Sequence, residues 1–226
     1  MIFPQCDIVF PTSAQEILFV GGGRVPSREF FLQIATGRKI FSIDKGIELC
    51  QACNIVPNFL IGDFDSANPD SVIWAQKNNV HIEKYPVDKD FTDTQLALSR
   101  ANEIFGDFVA ILTGIFGGRF DHLYSTIFTC ATAEQKIFLA DEREIVFYLR
   151  GGESTEVKFF SKPIAVSLLP ISSTCAGITT KNLHWELKNA SLTQNFPYAV
   201  SNRADSDKIS VHVEKGTLAI YFCFSE

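Results

Sequence analysis

Between Glu16 and about Asp141, short apolar runs alternate with longer stretches in which apolar residues recur every three or four positions. The runs EILFV, KIFSI, NFLIG, VHIEKY, DFVAILT and KIFLA read as strands, several of them apolar at consecutive positions, as in strands buried on both faces. Between them PSREFFLQIAT, KGIELCQAC, PDSVIWAQKNN, TDTQLALSRANEIF and DHLYSTIFTCATA carry helical spacing. Strand–helix alternation predicts parallel strands joined by crossovers, hence a doubly wound, mostly parallel α/β domain. Ligands of such sheets lie beyond the carboxyl ends of the strands, near the point where strand order reverses, so residues that follow strands are the first candidates for chemistry.

After about Glu142 the helical period disappears. EIVFYLR, TEVKFF, IAVSLLP, AGITT, LTQ, KISVHVE and TLAIYFCF are strand-like and separated by turn residues, which predicts an antiparallel β-sandwich or partial barrel. Gly151-Gly152 and Lys215-Gly216 read as hairpin turns. The expected domains are therefore 1–141 and 142–226, with no low-complexity linker between them.

Composition narrows the classes. Hydrophobic residues make up 46% of the chain, with 21 phenylalanines, enough apolar surface for a sizeable core. A net charge of −6 argues against a large electrostatic footprint on nucleic acid or an anionic membrane, and leaves room for a cationic small molecule. No run of about 18 uninterrupted apolar residues occurs and the N-terminal MIFPQCDIVF carries no basic leader, so the expected location is the cytoplasm. Six scattered cysteines suit reduced thiols; Cys50 and Cys53 form a CxxC, but without a second pair or a nearby histidine they read as two positions of one helix.

Two acidic motifs carry the candidate chemistry. In NFLIGDFDS, Asp63 and Asp65 follow a strand two residues apart, and an extended backbone would point both carboxylates the same way. Like charges held together call for a cation, and hard oxygen ligands suit magnesium. An Asx turn closed by Asp63, with Asp65 and Ser66 capping the helix near Pro69, explains the same residues. In VDKDFTDTQLAL, Asp88, Asp90 and Asp93 stand at a helix entry, where Asp90 as N-cap and Asp93 at N3 would be stabilising. Carboxylates from both loops could also converge on one metal at the sheet edge.

Two glycine-rich loops follow strands: VGGGR (Gly21–Arg24) and TGIFGGRFDH (Gly114–His122). Glycines allow backbone N–H groups to approach phosphate oxygens, although tight strand-to-helix turns explain them nearly as well. Arg119 offers a fork of donors suited to phosphate, while Asp121 fits a helix cap. Asp44, after KIFSI, is a further polar contact candidate. His122 and His184 accompany no nucleophile elbow, so covalent catalysis is not indicated.

The order GDFDS (62–66), DKDFTD (88–93) and GGRFDH (117–122), followed by LLPISSTCAGITTKNLHWEL (168–187) and AVSN (199–202), resembles the thiamine pyrophosphokinase family over nearly the whole chain. The resemblance implies transfer of a pyrophosphoryl group from ATP to the hydroxyl of thiamine, with Mg2+ as cofactor. It implies a homodimer with active sites between subunits. Asp63, Asp65 and Asp93 would surround the metal and the ATP phosphates, with Asp90 close by. Asp44, Thr92, Gly117, Gly118, Arg119 and Asp121 would face ATP. Trp185, Ser201 and Asn202 would line a thiamine pocket contributed by the partner subunit, the tryptophan face attracting the cationic heterocycle.

One stretch departs from the resemblance. Where the family often has an ADGGAN-like segment, this chain reads IDKGIE (Ile43–Glu48); Asp44 and Gly46 fit, Lys45, Ile47 and Glu48 do not. Two other functions stay open on the residues alone. A metal-dependent phosphohydrolase also uses Asp-x-Asp after a strand, but its usual first-strand position holds VGGG here. A thiamine- or nucleotide-binding module without catalysis would not need both acidic motifs.

Overall fold

A computed structural model describes residues 1–10 and 14–225 and separates into two units, Ala14–Asp141 and Met1–Ser13 with Glu142–Glu226. Strand β1 (Cys6–Ile8) precedes the α/β unit, which contains β2 (Gln15–Val20), α1 (Arg28–Ala35), β3 (Lys39–Ile43), α2 (Ile47–Cys53) and β4 (Phe59–Gly62). It continues with α3 (Pro69–Lys77), β5 (His81–Lys84), α4 (Asp93–Phe105), β6 (Phe108–Thr113), α5 (Phe120–Thr132) and β7 (Lys136–Ala140).

The six strands of this unit run in the order β7-β6-β2-β3-β4-β5, and all their pairings are parallel. Helices cover both faces. On β3, Phe41 meets Phe105 at the end of α4 with ring centroids 6.2 Å apart, while its neighbour Ser42 lies beside Cys50 of α2. Successive strand residues point to opposite faces, so α2 and α4 lie on opposite sides of the sheet. This is why consecutive strand residues are buried together, as in Leu18 and Phe19, Leu60 and Ile61, and Ile111 and Leu112. The chain steps outward from β2 through β3, β4 and β5, then returns to place β6 on the other side of β2. Strand order therefore reverses between β2 and β6.

The second unit is antiparallel. Its strands are β8 (Glu144–Arg150), β9 (Ser154–Phe159), β10 (Ala165–Pro170), β11 (Thr174–Lys181), β12 (Ala190–Thr193), β13 (Lys208–His212) and β14 (Thr217–Cys223). Five strands run β1-β9-β13-β11-β12 and three run β10-β14-β8. Inward residues of the two layers meet, with the Phe159 ring 5.1 Å from Phe222. On β9 the alternation is complete: Thr155, Val157 and Phe159 are buried and the residues between them exposed.

Two features differ from the sequence reading. The first half was expected to open at residue 1, but β1 pairs with β9, setting Cys6 and Ile8 inward and Asp7 opposite Lys158. The Gly151-Gly152 and Lys215-Gly216 turns are not hairpins. Strand β8 pairs with β14 and β9 with β13, so each turn carries the chain from one layer to the other. Cys50 and Cys53 are both buried on α2, as free thiols. Among the described residues no helix is long and apolar enough to cross a membrane.

Candidate active site

The reversal between β2 and β6 opens a cleft of about 530 Å³ at the carboxyl ends of the strands. The two glycine loops form one wall and are bonded to each other: Gly21 and Gly23 donate to the carbonyls of Thr113 and Gly114 at 2.8 and 2.6 Å, and Arg24 donates to Phe116. The glycines thus let two backbones press together, and only part of their N–H set is spent in doing so.

Three carboxylates converge beside this wall. Asp44 leaves β3 in a left-handed conformation (φ 45°) within a single 3-10 turn, Asp44–Gly46. Two glycines let that turn approach its neighbours: a Cβ on Gly46 would lie 1.9 Å from the Val20 carbonyl oxygen, and one on Gly62 would lie 3.1 Å from the Asp44 Cβ. Asp63 and Asp65 follow β4, but not in extended backbone. Phe64 is left-handed (φ 66°) and the Asp65 N–H donates to Asp63 Oδ1 at 3.2 Å, so the pair converges through an Asx turn. One oxygen from each of Asp44, Asp63 and Asp65 lies within 4.8 Å of the others. Ser66 donates to Asp44 Oδ2, whereas Asp44 Oδ1 is buried with no hydrogen-bond partner among the described residues. The helix that follows is capped by Asn68, which accepts from Asp70 N, and not by Asp65 or Ser66.

The second acidic motif reaches the same cleft through a residue the sequence reading passed over. Lys89 Nζ donates to Asp63 Oδ2 at 2.7 Å and lies 3.2 Å from Asp93 Oδ1, tying the loops together. The Lys89 hydrogen bond holds the Asp63 carboxyl below the ordinary carboxylate range. The nearby Asp63 charge pushes Asp65 up. Burial pushes Asp93 up despite Lys89. The signal for Lys89 was its i,i+4 spacing to Asp93 on the N-terminal side of a helix.

Asp93 is at N1 of α4, not N3, because Thr92 is the N-cap. Its hydroxyl accepts from Gln95 N, and Gln95 Oε1 accepts from Thr92 N at 2.9 Å, a capping box. Thr92 lines the cleft; Asp90, read as a possible cap, is exposed and outside the lining. Gly118 and Arg119 border the cleft, while Gly117 and Asp121 do not. Gly117 lies against the side chain of Arg24. Asp121 stands in the first turn of α5, whose N-cap position is Arg119 with no side-chain cap bond. Arg119 grips Asp121 at 2.5 and 3.1 Å and holds its carboxyl below the usual range. His122 also borders the cleft.

In the β unit, Trp185 is 58% exposed and Asn202 8% exposed. Asn202 Oδ1 accepts from Trp185 N at 3.1 Å and Nδ2 donates to Trp185 O at 2.9 Å. The same oxygen accepts from Arg203 N. The Arg203 guanidinium lies 5.6 Å above the Trp185 ring, and His184 meets it edge-on at 4.7 Å. Ser201 is left-handed (φ 56°) and its N–H donates to Ser167 Oγ.

A doubly wound parallel sheet with an acid-lined cleft at its switch point, followed by an antiparallel β unit, defines the class as an α/β protein with a ligand cleft at the carboxyl edge of its sheet. Residues 34–139 match the family model described as thiamin pyrophosphokinase, catalytic domain, and residues 157–218 match thiamin pyrophosphokinase, vitamin B1 binding domain. Thiamine pyrophosphokinase of Bacillus subtilis (strain 168) is 28% identical over 179 residues, which cover 78% of this chain and 83% of that one. Thiamine pyrophosphokinase 2 of Oryza sativa subsp. japonica is 23% identical over 171 residues, 72% of this chain and 64% of that one. Among solved structures, thiamine pyrophosphokinase from Bacillus subtilis superposes with a TM-score of 0.81 at 25% identity, covering 94% of this chain and all (100%) of that one. Thiamin pyrophosphokinase from Candida albicans shares the fold, with a TM-score of 0.80 at 14% identity over 94% of this chain and 90% of that one. The chain belongs to the thiamine pyrophosphokinase family.

Proposed function

We propose that the chain is a thiamine diphosphokinase whose cleft between β2 and β6 holds ATP while a pyrophosphoryl group passes to the hydroxyl of thiamine. The convergence of Asp44, Asp63 and Asp65 within 4.8 Å at the switch point carries this reading. The donor set fits magnesium: three carboxylates, with one oxygen, Asp44 Oδ1, buried and without a partner. Asp44, Asp63 and Asp65 would hold the ion, which when bound neutralises charge on the phosphate oxygens. The proposed ligand set thus gains Asp44, while Asp93, which also borders the cleft, is ion-paired to Lys89.

In the transfer the thiamine hydroxyl oxygen forms a bond to the β-phosphorus and the bond from that phosphorus to the oxygen bridging to the α-phosphorus breaks. AMP leaves with that oxygen, and the hydroxyl proton passes to a carboxylate of the cluster. Lys89 keeps Asp63 ionised for its part in the site, and Gly118 and Arg119 border the space for phosphates. Trp185 would face thiamine, with Ser201 and Asn202 shaping its loop. We further propose a homodimer, with Trp185 of the partner subunit completing each site, working in the cytoplasm.

A coupled assay for AMP tests the reading. AMP should form only when thiamine, ATP and magnesium are all present. Steady phosphate release from ATP without thiamine would favour a phosphohydrolase, and tight thiamine binding without AMP would favour a binding module.

A further inference from the structure

Three cationic side chains with full positive charge border the cleft: Lys45, Lys89 and Arg119. Two are already engaged, Lys89 with Asp63 and Asp93, and Arg119 with Asp121. Among the described residues the Lys45 ammonium has no ion pair and no hydrogen bond, although its neighbour in sequence is Asp44. Its root is fixed. The turn that carries it is seated on the Val20 carbonyl through Gly46, and the Lys45 Cβ packs on Gly22, where an added Cβ would lie only 2.7 Å away. The stem therefore runs along the first glycine loop, and the Gly22 N–H also donates to no protein acceptor among the described residues.

An open N–H and an unpaired ammonium side by side make an anion-binding wall. Charge bookkeeping points the same way. A divalent ion among three carboxylates leaves a polyphosphate with unmatched negative charge, and Lys45 is the lining cation of the three not spent on a protein carboxylate. We propose that Lys45 is a polyphosphate-binding residue, its ammonium contacting phosphate oxygens of the nucleotide along the Gly21–Gly23 wall. This rests on the proposed use of the cleft for ATP. Lys45 belongs to IDKGIE, the stretch in which this chain departs from the glycine-rich pattern of the family resemblance.

Calorimetric titration of the full chain with Mg-ATP and, separately, with adenosine tests the inference. Lys45→Met should weaken ATP binding about tenfold, the scale of one hydrogen bond to a charged group. Adenosine binding should not change, and Lys45→Arg should restore most of the ATP affinity. Lys45 is exposed, so both variants should keep the wild-type circular dichroism. Unchanged ATP binding in Lys45→Met, or equal weakening of ATP and adenosine, would overturn the role of Lys45 and leave the proposed function standing. A wild-type chain that does not bind Mg-ATP would remove both.

Discussion

Asn202 clasps Trp185 by both backbone groups, accepting from its N–H at 3.1 Å and donating to its carbonyl at 2.9 Å. The carboxamide is therefore spent on holding the loop and orients the indole instead of offering free donors to a ligand. Asn202→Ala should leave three backbone groups, the Trp185 N–H and carbonyl and the Arg203 N–H, without this partner and cost about 1–3 kcal/mol of stability by chemical denaturation. It should also raise the KM for thiamine while leaving the KM for ATP near wild type, since nothing in the acidic cleft is touched. Loss of the clasp should shift the fluorescence of Trp185, with Trp74 as the only other tryptophan in the chain.

Asp63→Asn preserves the Asx turn, because an amide oxygen can still accept from the Asp65 N–H. The carboxylate charge and its pairing with Lys89 are lost. Circular dichroism should be unchanged and AMP formation should fall on the order of a hundredfold or more, the scale of losing an electrostatic contact at the reacting centre. Wild-type AMP formation by the folded variant would exclude Asp63 from the reaction.

Gly46→Ala should be far more damaging than its chemistry suggests. The backbone there is helical, so the cost is purely steric: the new methyl would sit 1.9 Å from the Val20 carbonyl oxygen. Relief requires the Asp44–Gly46 turn to lift from β2, at about 3 kcal/mol or more. Because Asp44 rides on that turn, activity should fall together with the unfolding midpoint.

Glu83 provides a pH-dependent contribution away from the cleft. Burial pushes its carboxyl up, but hydrogen bonds from Arg100 and His81 outweigh burial and hold it below the ordinary value. A depressed native value means that the unfolded chain binds the proton first. The stabilisation is therefore present above the unfolded Glu value and is lost as pH falls through the lower, folded one. Arg100→Ala should flatten the acid side of a stability–pH curve measured by urea unfolding, with little change near pH 7 in its slope.

The α/β unit was legible because strands buried on both faces are written as unbroken apolar runs, and the glycines and aspartates that follow them mark the cleft. Asp63, Asp65 and Asp93 were readable as candidates for the same reason. Their geometry was not: the Asx turn at Phe64 replaces the extended strand, and Lys89, a residue with no motif of its own, joins the two loops. Thr92 and Asp90 are both good caps by chemistry, and the deciding signal was Gln95 three residues after Thr92. Strand β1 was missed because three residues, Cys6–Ile8, carry too little periodicity and their partner lies far along the chain. The glycine turns were misread because a hairpin and a crossing between layers use the same residues, and only pairing across the sheet distinguishes them.

The pairing of Cys6 with Phe159 nests the α/β unit inside the sequence of the β unit. During synthesis, residues 14–141 can complete their sheet while Cys6 and Ile8 still lack the strand they must cover. Those apolar side chains wait until β9 emerges, and the sheet they join is complete only when β13 has followed. Assembly is thus ordered from the middle outward, and Cys6–Ile8, made before either sheet they border, are among the last to find their place.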